Sequence, residues 1–301
     1  MTQILCPICH EPVKIDQTSC VCTNGHNFTV IKNRIIDFLP NIDDQSLKEE
    51  EEHWDHYARI GTGNITNHYI KSKIFRDYDD LFQSCITDHL PDYSQRSVSV
   101  AEIGCGPGSA IRFLIDINFA KLDYTGIDLS LQAMLSAIDL YGSPKPTWRF
   151  RFARASANIA IFKDNSLDII FSASALHHLQ VDEVIKWVSK SLKSGGLFII
   201  HEPSEMNPFA RIGRKFIREF HTKGERPLHP ERLKKISREY DLDLVFEKGL
   251  HFLSGPMMYC VQLLHFPGPL SVLSYSVSKF IDRLVISPSW NYSFIQVYRK
   301  P

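Results

Sequence analysis

The stretch that decides the fold is VSVAEIGCGPGSA, residues 98–110. Its first half is a run of strand-forming, mostly apolar residues, and three glycines at alternate positions, Gly104, Gly106 and Gly108, follow it. Glycine lets the backbone turn tightly and approach a ligand, and the helix predicted at 110–117 presents its N-terminal amides to the same place. A strand, a glycine turn and a helix in this order indicate a ligand-binding unit of a parallel sheet.

The alternation of strand and helix continues beyond this stretch. Apolar runs at 124–127, 167–172 and 196–201 predict further parallel strands, and residues 294–298 predict a last one. Helical segments near 108–118, 130–140 and 181–193 separate them. The predicted fold class is therefore α/β, with a Rossmann-like parallel sheet.

A carboxylate ends the second predicted strand, about twenty residues after the glycine turn. Asp128 follows the strand at 124–127, a position from which a carboxylate can accept both hydroxyls of a ribose. A solvated turn residue or helix cap is the alternative interpretation. Together with the glycine turn, Asp128 predicts a nucleotide-cofactor site.

Residues 95–205 resemble the class I S-adenosylmethionine-dependent methyltransferases in the correct order of motifs. The segment AEIGCGPG at 101–108 is similar to the first motif of that family, whereas dehydrogenases require G-x-G-x-x-G. Residues 163–172, 175–179 and 192–203 resemble the family's fourth strand, the loop after it and its fifth strand. The resemblance implies an enzyme that binds S-adenosylmethionine and transfers its methyl group.

The resemblance also assigns cofactor-binding residues. Those implied to surround S-adenosylmethionine are Glu102, Gly104, Gly106, Gly108, Asp128, Leu129, Ser156, Ala157 and Ser172. The glycines would shape the cradle for the methionine part, Glu102 would orient its ammonium, Asp128 would hold the ribose and Leu129 would pack on adenine. Relatives often carry Asp before Ala157 to bind the adenine amino group, whereas Ser156 offers a weaker neutral hydrogen bond.

Three titratable residues are candidates for a general base toward a hydroxyl acceptor. His178 lies in the loop after the fourth predicted strand, and His201 and Glu202 end the fifth. The carboxyl edge of a parallel sheet is where ligands bind, so all three are predicted near the acceptor. Relatives often carry the His-His pair at 177–178 without catalytic use.

The N-terminus carries a candidate metal site. Cys6, Cys9, Cys22 and His26 give the spacing C-x2-C-x12-C-x3-H, and zinc requires four nitrogen or sulfur ligands in a tetrahedron. Cys20 is a rival third ligand, and free buried cysteines in a hairpin are the alternative to a metal site. The segment resembles zinc ribbons of bacterial ribosomal RNA guanine methyltransferases, and of bacterial enzymes whose ribbon is like the small activator subunit of tRNA and protein methyltransferases. We predict a zinc ribbon over residues 1–42.

The rest of the chain is divided by composition. An acidic run at 48–52 indicates a solvated linker or helix start within a helical region at 43–95, and residues 96–301 form the predicted methyltransferase domain, with an insert at about 205–290. Residues 249–278 contain no Asp, Glu, Lys or Arg, but prolines and glycines break the segment below the length of a membrane span. An acceptor lid or core packing is the expectation for residues 250–286. No secretory signal is recognised, so a reducing cytoplasm is the expected compartment.

Charge bears on the choice of substrate. The formal net charge is zero and the pI is about 7.2, which gives no general attraction to nucleic acid. A basic run, Arg211, Arg214, Lys215 and Arg218, falls on one helix face and is either a solvated face or a contact for phosphate or carboxylate. The leading hypothesis is methyl transfer to O or N of a small organic acceptor. Ribosomal RNA base methylation and a non-catalytic scaffold are the alternatives, and the oligomeric state is left open.

Overall fold

The structure is a computed structural model, which describes residues 3–39, 45–60, 68–142, 145–216, 227–263, 268–285 and 287–301. The strands are β1 (Val13–Ile15), β2 (Ser19–Cys22), β3 (Asn27–Ile31), β4 (Ile35–Asp37), β5 (Ser97–Ile103), β6 (Lys121–Asp128), β7 (Trp148–Arg154), β8 (Leu167–Ala173), β9 (Leu192–Pro203), β10 (Asp243–Leu250) and β11 (Ser293–Arg299). The helices are α1 (Gln45–Ile60), α2 (His68–His89), α3 (Ser109–Leu114), α4 (Leu131–Tyr141), α5 (Val181–Ser191), α6 (Pro208–Phe216), α7 (Pro230–Glu239), α8 (Ser254–Leu263) and α9 (Gly268–Asp282).

All the strands of the described chain belong to one sheet, in the order β1-β2-β3-β4-β7-β6-β5-β8-β9-β11-β10. The neighbours from β4 to β9 run parallel, and β11 and β10 are added antiparallel at one edge. The N-terminal strands β1–β4 form an antiparallel ribbon that joins the other edge through β4 and β7. The predicted α/β class with a Rossmann-like parallel sheet is confirmed.

Two hydrophobic layers enclose the sheet. On one face, residues of α2, α3 and α4 pack against apolar side chains of β5, β6 and β8, with Phe82, Phe113 and Phe171 at its centre. The other face packs against α5, α7 and the N-terminal ribbon, around Phe162, Trp187 and Phe198. Because the central parallel strands are covered on both faces, they are almost continuously buried, which is why they read as apolar runs in the sequence.

Three features differ from the sequence-based expectations. Strand β7 was not predicted, although its buried aromatic residues alternate with arginines at the strand period. Strand β10 lies inside the region interpreted as an insert and is an edge strand of the sheet. The acidic run at 48–52 belongs to α1, and part of it is half-buried. In the described parts of the chain, no helix is both long and apolar enough to cross a membrane.

Candidate active site

The glycine turn joins β5 to α3 at the carboxyl edge of the sheet. Gly104 has φ +65°, and a Cβ atom there would lie 2.4 Å from the Cβ of Ala175 in the loop after β8. Any larger residue would therefore push apart the two loops that meet at this edge. The backbone N–H of Gly106 points toward β6 and donates a hydrogen bond of 2.7 Å to the carboxylate of Asp128.

Asp128 lies at the end of β6, where the sequence places it. One carboxylate oxygen accepts from Gly106 and the other from the N–H of Ser130, at 2.8 Å. Burial raises the pKa of Asp128, and these N–H groups oppose the shift by stabilising the charged form. The hydrogen bonds fix the carboxylate at the wall of a cavity.

This cavity has a volume of about 380 Å³ and opens at the carboxyl ends of β5, β6 and β8. Seven of the residues predicted from the sequence line it together: Gly104, Gly106, Asp128, Leu129, Ser156, Ala157 and His178. They come from four separate segments of the chain. We call this set the floor of the cavity.

Residues that the sequence analysis missed complete the floor. Asn158 lies beside Ser156 and donates its backbone N–H to the Ser156 hydroxyl at 3.4 Å. The Asn158 side chain in turn accepts from the N–H of Gln180 at 2.8 Å, which ties the segment to the start of α5. Ser174, at φ +55°, and Ala175 line the cavity directly after β8.

Helix α1 forms the opposite wall, which we call the cover. Its residues Leu47, Glu50, Trp54 and Ala58 line the cavity at intervals of three and four, the spacing of one helix face. The ring of Trp54 meets that of His178 edge to face, with centroids 5.4 Å apart, and the Glu50 carboxylate lies 3.8 Å from His178 Nδ1. Burial raises the pKa of Glu50. The spacing of these four residues is a sequence signal for a helix face that lines a cavity, but the acidic run at 48–52 favours a solvated segment.

Side-chain contacts attach the cover to the floor. Asp55 of α1 accepts from the Ser130 hydroxyl at 2.6 Å and from the N–H of Gln132 at 3.2 Å, at the start of α4. Arg154, at the end of β7, pairs with Glu51 of α1 and with Asp37 at the end of β4, the latter at 3.0 Å. One guanidinium therefore bridges the N-terminal ribbon and the cover.

Three of the predicted cofactor residues lie behind the cavity wall. Glu102 is fully buried, where its carboxylate accepts from the N–H of Ala110 at 3.0 Å and from the Tyr124 hydroxyl. Burial raises the pKa of Glu102 to about 8. Gly108, at φ +88°, precedes α3 against Tyr141, and Ser172 is buried inside β8. None of these three lines the cavity.

Two of the three candidate bases also lie outside the cavity, and here the sequence analysis needs correction. Glu202 is fully buried and its carboxylate accepts from the N–H groups of Ala175 and Leu176 and contacts His177 Nδ1 at 2.6 Å, so it holds the loop after β8. The ring of His201 packs on Tyr78, with centroids 4.7 Å apart, and burial lowers its pKa to about 4. Successive residues of a strand face opposite sides of the sheet, so the side chains of His201 and Glu202 point to its two faces and not out from its edge. Only His178 lines the cavity.

The predicted acceptor lid is not seen at the cavity. In the described part of residues 250–286, no residue lines it. Met257 is half-buried in α8, whereas the side chain of Met258 lies outside the described residues. Of the basic run, the Arg211 side chain is exposed on α6; the side chains of Arg214 and Lys215, and all of Arg218, lie outside the described residues.

The N-terminal ribbon brings Cys6, Cys9, Cys22 and His26 together. Their ligand atoms all lie within 4.8 Å of one another, with Cys9 Sγ 3.7 Å from Cys22 Sγ and His26 Nδ1 3.4 Å from Cys22 Sγ. Zn–S bonds of about 2.3 Å in a tetrahedron place two sulfurs about 3.8 Å apart, so the set fits a zinc ion. Cys20 lies outside this set, and burial raises its pKa to about 12.

Comparison with known proteins concerns the part of the chain that contains the cavity. Residues 101–200 match the family model described as a methyltransferase domain. The chain is 25% identical over 193 residues to O-methyltransferase 3 of Dictyostelium discoideum and 23% identical over 126 residues to a sterol 4-C-methyltransferase of Caenorhabditis elegans. These matches cover 60% and 42% of this chain, but only 42% and 37% of the relatives.

A solved structure gives the same picture of the fold. The geranyl diphosphate C-methyltransferase of Streptomyces coelicolor, in complex with Mg2+, geranyl diphosphate and S-adenosyl-L-homocysteine, superposes with a TM-score of 0.58. The match covers 87% of this chain and 100% of that one, at 9% identity. The likeness is one of fold.

Proposed function

Since residues 101–200 match the family model of a methyltransferase domain, we propose that this protein uses S-adenosylmethionine to methylate O or N of a small organic acceptor. The observation that carries the proposal is one cavity lined by the glycine turn, by Asp128 and by His178. It combines a cofactor floor with a group able to take a proton. One curated relative is named as an O-methyltransferase, and its name leaves the acceptor open. The other is named as a sterol 4-C-methyltransferase, which transfers to carbon.

The floor residues would hold the cofactor, whose sulfonium supplies an activated methyl group when bound. Asp128 would accept hydrogen bonds from the ribose hydroxyls, and Leu129, Ser156, Ala157 and Asn158 would hold the adenine. Gly104 and Gly106 let the backbone approach the methionine part. Glu102 acts from behind the wall, because its carboxyl group fixes the N-terminus of α3 rather than reaching the ligand.

His178 is the group that would accept the acceptor's proton. Its ring borders the cavity beside Trp54, and its Nδ1 lies 3.8 Å from the Glu50 carboxyl group, so a ring nitrogen faces the space where an acceptor would bind. Trp54 covers the site and excludes water. Glu202 serves as a positioning residue, since it holds the loop that carries His178.

The acceptor atom is tested by incubating the full chain with S-adenosylmethionine labelled at the methyl group and a panel of phenols, amines and activated carbon acids. Product from the phenols or amines, lost in His178→Ala, supports the proposal. Product only from carbon acids overturns the choice of O or N and leaves methyl transfer intact. Methylation of ribosomal RNA with strong salt dependence supports the alternative substrate.

For the N-terminal ribbon we propose a structural zinc ion held by Cys6, Cys9, Cys22 and His26 in a module of residues 1–42. A segment this small buries too little apolar surface to hold itself together, so metal ligation supplies part of its folding free energy. We expect one zinc per chain by metal analysis, lost in the Cys9→Ser, Cys22→Ser variant and retained in Cys20→Ser. Full zinc retention in the double variant would exclude this ligand set. The helical region 43–95 and the domain 96–301 complete the proposed organisation, and the region at about 205–290 contributes strand β10 to the sheet of that domain.

A further inference from the structure

Helix α1 is held in place by a face different from the one that lines the cavity. Glu51 and Asp55 lie one helical turn apart on this second face. Asp55 contacts Ser130 at the start of α4, and Glu51 pairs with Arg154 at the end of β7. Consecutive helical residues point about 100° apart, so an anchor at Glu51 fixes the direction in which Glu50 points. These two contacts therefore fix both the place and the rotation of the cover.

The guanidinium of Arg154 is the point where three segments of the chain meet. Its Nε donates to the Leu129 carbonyl at 3.4 Å, its Nη1 donates to the Asp37 carboxylate at 3.0 Å, and its Nη2 pairs with Glu51. The first belongs to the floor, the second to the ribbon and the third to the cover. The side chain is only 15% exposed, so little water competes for these contacts. Each nitrogen of the planar group thus holds a different part of the molecule.

The backbone of Arg154 belongs to the edge of the sheet that carries the cofactor floor. In the sheet it lies between Asp37 of β4 and Asp128 of β6. The next residue, Ala155, donates its N–H to the Asp128 carbonyl at 3.1 Å, and residues 155–157 line the cavity. Because β7 is hydrogen-bonded on both sides, the guanidinium has a fixed base. The cover is therefore the part that shifts when these contacts are lost.

The charges at this junction give Arg154 a second effect on the cover. Asp37 lies before the segment that joins the ribbon to α1, Glu51 lies after it, and both approach the same guanidinium. Without the cation, two like charges are left at the junction and repel each other. A helix of 16 residues such as α1 is only marginally stable in water when it is not packed. Loss of the guanidinium therefore favours a state in which the cover is undocked.

We propose that Arg154 is the positioning residue that sets the cover over the cavity, and that the N-terminal ribbon influences methyl transfer through it. The inference rests on the proposed function, because the cover places Trp54 and Glu50 beside His178. Arg154 does not line the cavity and acts through Glu51 on the groups that exclude water from the site. A displaced cover lowers kcat more than it lowers the affinity for S-adenosylmethionine.

The test compares variants of Arg154 in the full chain by hydrogen exchange, which needs neither cofactor nor acceptor, and by steady-state kinetics. In Arg154→Gln we expect the α1 amides to exchange more than about tenfold faster, because exchange follows the undocked fraction. We expect kcat to fall roughly threefold, because turnover follows the docked fraction. Arg154→Lys behaves like Arg154→Gln, since an ammonium group cannot hold three segments at once. Asp37→Asn acts in the same direction by a smaller factor, because the contact with Glu51 is kept.

Arg151→Gln is the matched control. Arg151 belongs to the same strand, its side chain is also 15% exposed, and it pairs with Asp123 of β6 at 3.2 Å, outside the cavity. This variant removes a comparable ion pair and leaves α1 exchange and kcat at their wild-type values.

Three results would overturn the proposal: wild-type α1 exchange in Arg154→Gln, an equal rise of exchange in α1 and in strands β5–β9, or wild-type kcat in Arg154→Lys. Absence of methyl transfer by the wild type would contradict the proposed function instead. The α1 exchange still decides in that case whether Arg154 holds the cover.

Discussion

The floor and the cover of the cavity are built in different ways. The floor comes from backbone turns at the ends of parallel strands, where short local motifs fix both the conformation and the ligand-facing groups. The cover is one face of α1, and its position depends on distant partners such as Ser130 and Arg154. A motif of a few residues therefore predicts the floor, whereas the cover depends on contacts more than seventy residues apart in sequence.

The largest effect is expected from a change in the floor. Gly104→Ala places a Cβ atom 2.4 Å from that of Ala175 and strains a residue at φ +65°, so we expect the affinity for S-adenosylmethionine to fall about a hundredfold or more. Gly142→Ala is the control, because Gly142 also has positive φ, at +54°, but a Cβ there meets nothing within 4 Å. Titration calorimetry compares them. If both variants lost the same S-adenosylmethionine affinity, backbone strain alone, and not the close approach to Ala175, would explain the loss.

A change in the cover should act more on turnover than on cofactor affinity. Trp54→Ala removes the ring above His178, and we expect kcat to fall about tenfold through poorer orientation and water exclusion, with a smaller change in S-adenosylmethionine affinity. Trp290→Ala, at a tryptophan 57% exposed and outside the cavity, is the control. Steady-state kinetics and calorimetry separate the two effects. Normal turnover combined with strongly weakened cofactor binding would make α1 part of the floor.

A separate effect, on stability and not on binding or turnover, concerns the carboxyl group behind the floor. Because burial raises the pKa of Glu102 to about 8, the folded protein favours its protonated form. The protonated Glu102 contributes fully to the free energy of unfolding below pH 4.5, the ordinary pKa of a glutamic acid side chain. This contribution is lost as pH rises through about 8. Chemical denaturation at several pH values should thus show wild-type stability falling over this range relative to Glu102→Gln. Parallel pH profiles in the two proteins would contradict the shift.

The comparison also explains which parts of the molecule the sequence predicts. The strands at 98–103, 124–127 and 167–172 are nearly all buried and stand out as apolar runs, and the glycines and Asp128 between them mark the floor. His201 and Glu202 lie near the end of a strand, as predicted. Because their side chains point to opposite faces of the sheet, at most one of them could face a ligand. Their contacts with Leu176 and Tyr78 show that neither lines the cavity. Strands β7 and β10 were not predicted, because arginines interrupt the apolar residues of β7 and the residues of β10 are exposed or partly exposed.

The ribbon falls between these cases. Cysteine spacing predicts the four residues whose side chains the structure brings within 4.8 Å of one another, because metal geometry restricts sequence locally. Its attachment to the sheet through β4 and β7, and to the cover through Arg154, involves residues that no local pattern connects. Local chemistry can be read from the sequence, whereas the way separate segments meet is set by the packing of the whole chain.

The central claim, that the floor binds S-adenosylmethionine, is tested most directly by calorimetric titration of the cofactor into the wild type and Asp128→Ala. Asp139→Ala is the matched control, since the Asp139 side chain is 69% exposed on α4 and lies outside the cavity. The account predicts one site per chain in the wild type and at least a tenfold loss in Asp128→Ala, because hydrogen bonds to a charged group contribute roughly 1.5–3 kcal/mol each. Absence of binding to the wild type, or equal affinity in Asp128→Ala, would contradict it.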